Sequence, residues 1–227
     1  MSQAAPQRPR AERTRIAVLE AAEAIFAEKG FAATRLEDVA DRVGIRRASI
    51  VYYFKDKQEL YHAVLAGVFG GLLEKISAAL SRPDPLPARI EAGVGAWVDY
   101  VGARPSIARL ILREVADAAP GHRPAVLEHT RPFFDLIRQQ VFERDGGAIA
   151  RLSPIDPVHL ASTIAGATVF FVAAMPALLP DLVLDPVSPA HLAAHREEVL
   201  GIVRRLLGTQ GPRKTRPARR RASGPEE

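Results

Sequence analysis

Two groups of side chains have the composition and spacing to do chemistry. His191 and His195 stand four residues apart and Glu198 follows three later, so a helix over this stretch carries three potential metal ligands on roughly one face. The set lacks the glutamate that a zinc-protease helix places between its histidines, no general base or supporting partner is evident, and solvated surface is the competing account. The second group lies in GIRRASIVYYFKDK, residues 44–57: Arg46 and Arg47 follow a glycine turn, and Ser49, Tyr52 and Tyr53 come within the next two turns. It has neither a nucleophile beside a base nor a fan of glycines around a phosphate. Guanidinium groups bond guanine edges or phosphates bidentately, and tyrosine hydroxyls reach phosphates while their rings pack on sugars. Such a segment is suited to holding a polyanion.

The distribution of charge agrees with that. The 227 residues have a formal net charge of +5, with 11 Lys/Arg against 9 Asp/Glu in residues 1–60, 14 against 15 in 61–207, and 6 against 2 in 208–227. The middle is neutral and the ends are basic, with Arg8, Arg10, Arg13 and Arg15 ahead of the first helix and Arg46, Arg47, Lys55 and Lys57 around the aromatic stretch. At 48% hydrophobic residues the chain can bury a core, and the absence of cysteine excludes disulfide and thiolate chemistry. The N-terminus has arginines but no apolar run, so it does not read as a secretory signal, and the expected compartment is the cytoplasm. No phosphate-binding loop, dinucleotide glycine fingerprint or serine elbow is present.

The elements that must position these side chains are helices. Ile16, Leu19, Ala22 and Phe26 recur at helical spacing and Gly30 sits where a cap belongs, predicting a helix over 11–29. Thr34 and Glu37 form a capping-box pattern for a second helix with Leu36, Val39, Ala40 and Val43 on its apolar face, stopped by Gly44. A third helix runs to about Phe54 with Ile50 and Phe54 facing inward. Asp56 and Glu59 form another capping pattern that opens a long fourth helix through Leu60, Val64, Val68 and Leu72. Two short helices about a glycine turn, behind a longer one, make a helix-turn-helix whose third helix suits the major groove.

The stretch FAEKGFAATRLEDVADRVGIRRASIVYYFKDKQELYHAVL resembles the N-terminal signature of the TetR/AcrR family of transcriptional regulators, with landmarks in register over roughly residues 13–65. The resemblance implies an all-α fold: a three-helix helix-turn-helix domain joined by a long helix to a helical domain that dimerises and senses a small molecule. It implies that Thr34 supports a phosphate contact, that Arg47 and Tyr52 touch DNA, and that Lys57 meets a phosphate. The family usually has a small capping residue where this chain has Arg46, and often another tyrosine where it has Val51, so Arg46 adds a candidate contact. The candidate DNA-binding set is Thr34, Arg46, Arg47, Ser49, Tyr52, Tyr53 and Lys57. For Thr34 a purely structural role as a helix cap competes.

The remainder matches the family only in plan, with helices expected over 85–103, 105–118, 123–145, 157–176 and 189–207. The expected domains are a flexible basic arm (1–10), the helix-turn-helix (11–56), the sensing and dimerisation domain (57–207) and a disordered basic tail (208–227). Trp97, Tyr100, Arg113, His129, Phe133 and Phe171 lie on the helices that line pockets in this family. Together they suit a largely apolar ligand with one polar or anionic group held by Arg113 or His129; core packing is the competing account of each. Residues 157–180 contain no Asp, Glu, Lys or Arg, long enough to raise a membrane span, but interior polar residues and Pro176 favour a buried helix instead. Leu160, Ile164, Ala167 and Phe171 form a stripe suited to a dimer face, paired with Leu192, Val199, Ile202 and Leu206 of the last helix.

The expected function is therefore a ligand-responsive DNA-binding regulator, most simply a repressor released from an inverted-repeat operator by a small effector. It is expected to be a cytoplasmic homodimer without cofactor, metal or membrane partner, and not an enzyme. A ligand-modulated activator on the same fold, and a helical metal-binding enzyme, are the alternatives.

Overall fold

The computed structural model describes residues 9–117, 125–144, 146 and 157–209, and these are helical throughout, with no strand among them. The expected arm, through residue 8, and the tail beyond residue 209 lie outside the described residues. Helix α1, Arg10–Ala33, is redirected at Gly30, whose φ of +82° leaves the helical track and accounts for the glycine there. Arg10, Arg13 and Arg15 thus belong to the first turns of α1 rather than preceding it.

Helix α2, Leu36–Val43, starts one residue later than the Thr34–Glu37 pattern predicts. Arg35 is its N-cap, with its N–H donating to the Asp38 carboxylate at 3.0 Å. That bond, followed by the Lys29 ammonium at 3.2 Å, holds the Asp38 carboxyl below its usual range. Thr34 instead turns back, its hydroxyl donating to the Gly30 carbonyl at 2.7 Å, which the Gly30 turn brings within reach. Gly44 ends α2 in the left-handed region, with its N–H on Asp41 O and that of Ile45 on Ala40 O, the two bonds of a Schellman cap. Helix α3, Arg47–Tyr53, follows, anchored by buried Ile50 and Phe54.

Helix α4, Lys57–Leu80, is capped by Asp56, whose carboxylate accepts from the Glu59 N–H at 2.8 Å. The Glu59 carboxylate takes the Lys55 N–H at 2.7 Å rather than that of Asp56, so only half of the expected reciprocal box forms. By length and composition α4 could cross a membrane, but Leu60, Val64, Leu65, Val68, Leu72, Ile76 and Leu80 are buried, in a helix packed on α1 and on α5, Leu86–Ala103. Phe26, Phe31 and Tyr61 meet where α1 crosses α4, with centroids 4.7 and 4.9 Å from Tyr61.

The second layer comprises α5, α6 (Ser106–Ala116), α7 (Val126–Ile137, continued by a π-helical turn Arg138–Glu143), α8 (Pro157–Ala173), the short α9 (Met175–Leu178), a 3-10 turn Pro180–Leu182, and α10 (Pro189–Leu206). The uncharged run 157–180 is thus not one helix. The helix is interrupted at Ala174, between Ala173 and Met175, and Pro176 has no N–H to continue the ladder. Helix α10 packs on α5 across two glycines: a Cβ at Gly102 would stand 2.3 Å from Leu192 Cδ2, and one at Gly95 2.5 Å from an Arg196 Nη. Arg196–Asp99 at 3.0 Å and Arg204–Glu91 at 2.8 Å flank that seam.

Candidate nucleic-acid interface and sensor

The candidate reading surface is built from α3 outward. Ile50 and Phe54 are buried four residues apart, which fixes the rotation of the helix and turns Arg46, Arg47 and Tyr52 to solvent. Tyr52 is 82% exposed, with its ring set edge-on against half-buried Tyr53 at 5.1 Å. Arg46 is the exposed N-cap residue of α3, and half-buried Ser49 donates its N–H to Arg46 O at 2.8 Å. Arg47 Nε lies 3.1 Å from the Glu37 carboxylate of α2. Arg15, from the first turns of α1, sits over the Phe54 ring at 5.3 Å and adds a cation to the same end of the domain. The sequence placed Arg15 only in a general basic cluster, and no local pattern ties it to Phe54, 39 residues on.

Two of the expected contact residues are engaged within the protomer. Thr34 is 1% exposed and its hydroxyl is bonded to Gly30, so it shapes the entry to α2 and presents nothing to a phosphate. Lys57, expected to meet a phosphate, directs its ammonium inward instead. Its three N–H groups face the carbonyls of Phe31 at 2.7 Å, Ala32 at 3.2 Å and Thr34 at 2.9 Å, and it stands over the Phe31 ring at 4.4 Å. These are the acceptors at the C-terminal end of α1, where the helix dipole favours a cation.

Of the six candidate ligand residues, Trp97 is in the shared core and Tyr100, Phe133 and Phe171 pack against it, and several of the six have partners of their own. Arg113 of α6 bonds the α1 carbonyls of Ala27, at 3.0 Å, and Glu28, and its side chain lies over Gly30. Tyr100 donates to Val68 O at 2.8 Å, accepts from Arg104 at 3.1 Å and packs on Gly71, which makes it a strut between α5 and α4. Phe171 stacks on His195 at 4.1 Å with the rings 2° from parallel. His129 faces His62 of α4, ring nitrogen to ring nitrogen at 3.4 Å, and burial, then the neighbouring His62, pushes its pKa down. Phe133 packs beside Phe134 against the core. Trp97 is buried, and its indole N–H has no hydrogen-bond partner among the described residues. Two clefts of about 370 and 390 Å³ open elsewhere, between α1 and the α5–α6 junction, on Glu23, Ala24, Arg104 and Ser106.

Of the expected dimer stripe, Leu160 and Val199 are 7% and 3% exposed within a single protomer, while Ile164, Ala167, Leu192, Ile202 and Leu206 are half-buried there. The more exposed residues of α8 include Thr163, Gly166 and Phe170, and those of α10 include Ala194, Glu198 and Arg205. The possible metal ligands on α10 are dispersed. His191 is turned to Asp185 O at 2.8 Å and Ser188 Oγ at 3.0 Å, while His195 points at buried Thr168 of α8. Among the described residues no three His, Cys, Asp or Glu groups are placed to share a metal.

Residues not singled out by sequence join the two halves. Glu23 of α1 bonds both Arg104 and Ser106 at the α5–α6 junction. Tyr61 of α4 donates to Glu114 of α6 at 2.6 Å, and the other oxygen of Glu114 accepts the Val126 N–H at the start of α7, 3.2 Å away. Burial, and then the Glu114 hydrogen bond, raise the Tyr61 pKa far above that of a free phenol, so its O–H stays a donor. The Glu23 and Tyr61 bonds join partners 53 to 83 residues apart and leave no local signal.

Comparison with known proteins agrees with this architecture. The profile of the family described as bacterial regulatory proteins, tetR family, matches residues 18–64. The HTH-type transcriptional regulator RutR of Escherichia coli (strain K12) is 29% identical over 144 residues, 63% of this chain and 66% of that protein, just under two thirds of its length. The HTH-type transcriptional activator FasR of Mycolicibacterium smegmatis is 33% identical over 93 residues, 41% of this chain and 42% of that one. Among solved structures, the transcriptional regulator FadR from Bacillus subtilis in complex with stearoyl-CoA shares the fold at TM-score 0.64 and 15% identity, covering 86% of this chain and 99% of its own.

Proposed function

We propose that the chain is a member of the tetR family of bacterial regulatory proteins, whose profile matches residues 18–64, and acts as a cytoplasmic, non-enzymatic transcriptional regulator that binds an inverted-repeat DNA operator as a homodimer and is released by a small effector. The observation that carries this is the surface of α3: Arg46, Arg47 and Tyr52 are exposed on a short helix whose orientation is locked by buried Ile50 and Phe54. Ser49 and Tyr53, half-buried at its edge, complete the contact set. Two such helices related by a two-fold axis read half-sites about one helical turn apart, or a multiple of it. The dimer forms through the outward faces of α8 and α10, where Gly166 and Ala194 allow close approach and Phe170 supplies the apolar anchor. Repression is the simplest outcome of operator binding. The relative named a transcriptional activator supports activation as the second reading, since the sign depends on where the operator lies.

The effector is largely apolar, because α4, α5, α7 and α8 bring chiefly aliphatic and aromatic side chains to the sensor core. Arg113 and Tyr100 are already engaged, so the groups that meet its polar end are the unpaired Trp97 N–H, which takes an acceptor, and the His129 ring. The test is to select duplexes from a random library with the full chain and titrate the best against random-sequence DNA. A symmetric duplex preferred at least about a thousandfold supports the reading, and equal affinity for both refutes it.

A further inference from the structure

Helix α2 begins with two adjacent carboxylates that are used differently. Asp38 is bonded to the Arg35 N–H and paired with Lys29, which fastens it to its own helix and to α1. Glu37, one residue earlier, turns toward α3 and lies 3.1 Å from Arg47 Nε. Both members of that pair are more than half exposed, and exposed ion pairs add little to stability. The effect of this one falls instead on the surface that α3 presents. An arginine side chain has many rotamers, and a carboxylate on Nε selects among them. Among the described residues the two terminal amino groups have no partner, and these are the pair that reaches end-on to the O6 and N7 acceptors of a guanine.

We infer that Glu37 is the positioning and specificity-determining residue of the DNA-reading surface: it aims the Arg47 guanidinium for base contact and, as a fixed negative charge beside it, disfavours docking on phosphates alone. This rests on the reading of Arg47 as a DNA contact. Phosphate-only binding gains from every added positive charge, so a carboxylate at the rim of the surface weakens non-specific binding more than base-specific binding. Glu37 touches no base; it acts through Arg47.

The test uses the full chain, its selected duplex and a random duplex, with Glu37→Gln, Arg47→Ala and the double variant. Glu37→Gln removes the charge and keeps the shape. It is expected to strengthen binding to the random duplex about two- to threefold, the size of one unscreened charge at the surface, and to lower the preference for the selected duplex roughly three- to tenfold, part of the discrimination of one bidentate contact. In the Arg47→Ala background the same change is expected to leave the base preference unaltered. Thermal midpoints of Glu37→Gln and the parent should agree, which separates positioning from a structural role. If Arg47→Ala lowers operator affinity while Glu37→Gln leaves the preference intact, the inference is overturned and the function stands. An equal loss of preference in both backgrounds overturns it as well, because Glu37 then acts without Arg47. If Arg47→Ala leaves operator affinity unchanged, the assignment of Arg47 to DNA fails, and the role of Glu37 with it.

Discussion

Replacing Lys57 by Met separates two accounts of one residue. The ammonium lies at 2.7, 3.2 and 2.9 Å from three carbonyls at the end of α1 and at 4.4 Å from the Phe31 ring, on a half-buried side chain. A hydrogen bond to a charged group contributes about 1.5–3 kcal/mol net. Three from one flexible, partly solvated lysine do not add, and the methionine retains the stem packing, so the expected loss is about 2–3 kcal/mol. For a chain of this size that lowers the thermal midpoint by roughly 5–10 °C. Calorimetry or urea unfolding measures the loss, and titration of DNA at several salt concentrations measures the charge. If Lys57 is a clasp, stability falls while the dependence of log affinity on log salt keeps its slope. If stability is unchanged and the slope drops by about 0.9, the lysine meets a phosphate and the clasp is refuted.

Three further outcomes are expected. Tyr52→Ala, at a position 82% exposed, leaves unfolding within about 0.5 kcal/mol of the parent but costs operator affinity about 1–2 kcal/mol, as fluorescence anisotropy would report. His195 is held below its ordinary pKa by burial, so the unfolded chain takes up the proton more readily; its contribution to stability is complete above about pH 6.5 and is lost as pH falls through the depressed native value, and His195→Phe should flatten that part of a midpoint-against-pH curve. Gly102→Ala places a methyl group against Leu192 and should destabilise by about 1–3 kcal/mol, whereas Gly67→Ala, with nothing within 4 Å, should be neutral or stabilising in parallel denaturant titrations.

The helix-turn-helix was legible because its signals are local. Gly44 does adopt the left-handed cap, Ile50 and Phe54 do face inward, and Asp56 does cap α4, each decided within five residues of chain. The first capping box slipped by one position: Arg35 is the N-cap and Asp38 accepts its N–H, while the Thr34 hydroxyl is turned to the Gly30 carbonyl, an acceptor visible only once the Gly30 turn is built. Charged side chains were the hardest to place. Lys57, Arg113 and Arg104 satisfy carbonyls or carboxylates of α1 that lie 23 to 86 residues away, and nothing in their own neighbourhoods distinguishes such a clasp from a solvated surface charge. The facing of α8 is illegible for a different reason: that helix is apolar on nearly every side, so periodicity cannot tell which face is inward.

The same long-range clasps change how the two halves can be coupled. Chain connectivity alone makes α4 the single path between reader and sensor, but α6 carries two adjacent residues that reach the reader by separate routes. Arg113 holds the Ala27 and Glu28 carbonyls of α1 just ahead of Gly30, the pivot from which the chain enters α2, and Glu114 holds Tyr61 on α4 while accepting the first N–H of α7. An effector that displaces α6 and α7 therefore acts on both helices that support α2 and α3, and the Glu23 bonds to Arg104 and Ser106 give α1 a second anchor on the sensor. Two attachments constrain a rotation where one allows a swing. On the proposed function, release from the operator then depends on α1 and α4 turning together, with a coupling of about 1–3 kcal/mol that DNA returns to the effector site in equal measure. The inward lysine belongs to this arrangement, because Lys57 ties the first turn of α4 to carbonyls just after Gly30 while Arg113 of α6 grips carbonyls just before it, so the Gly30 turn lies between the two supports.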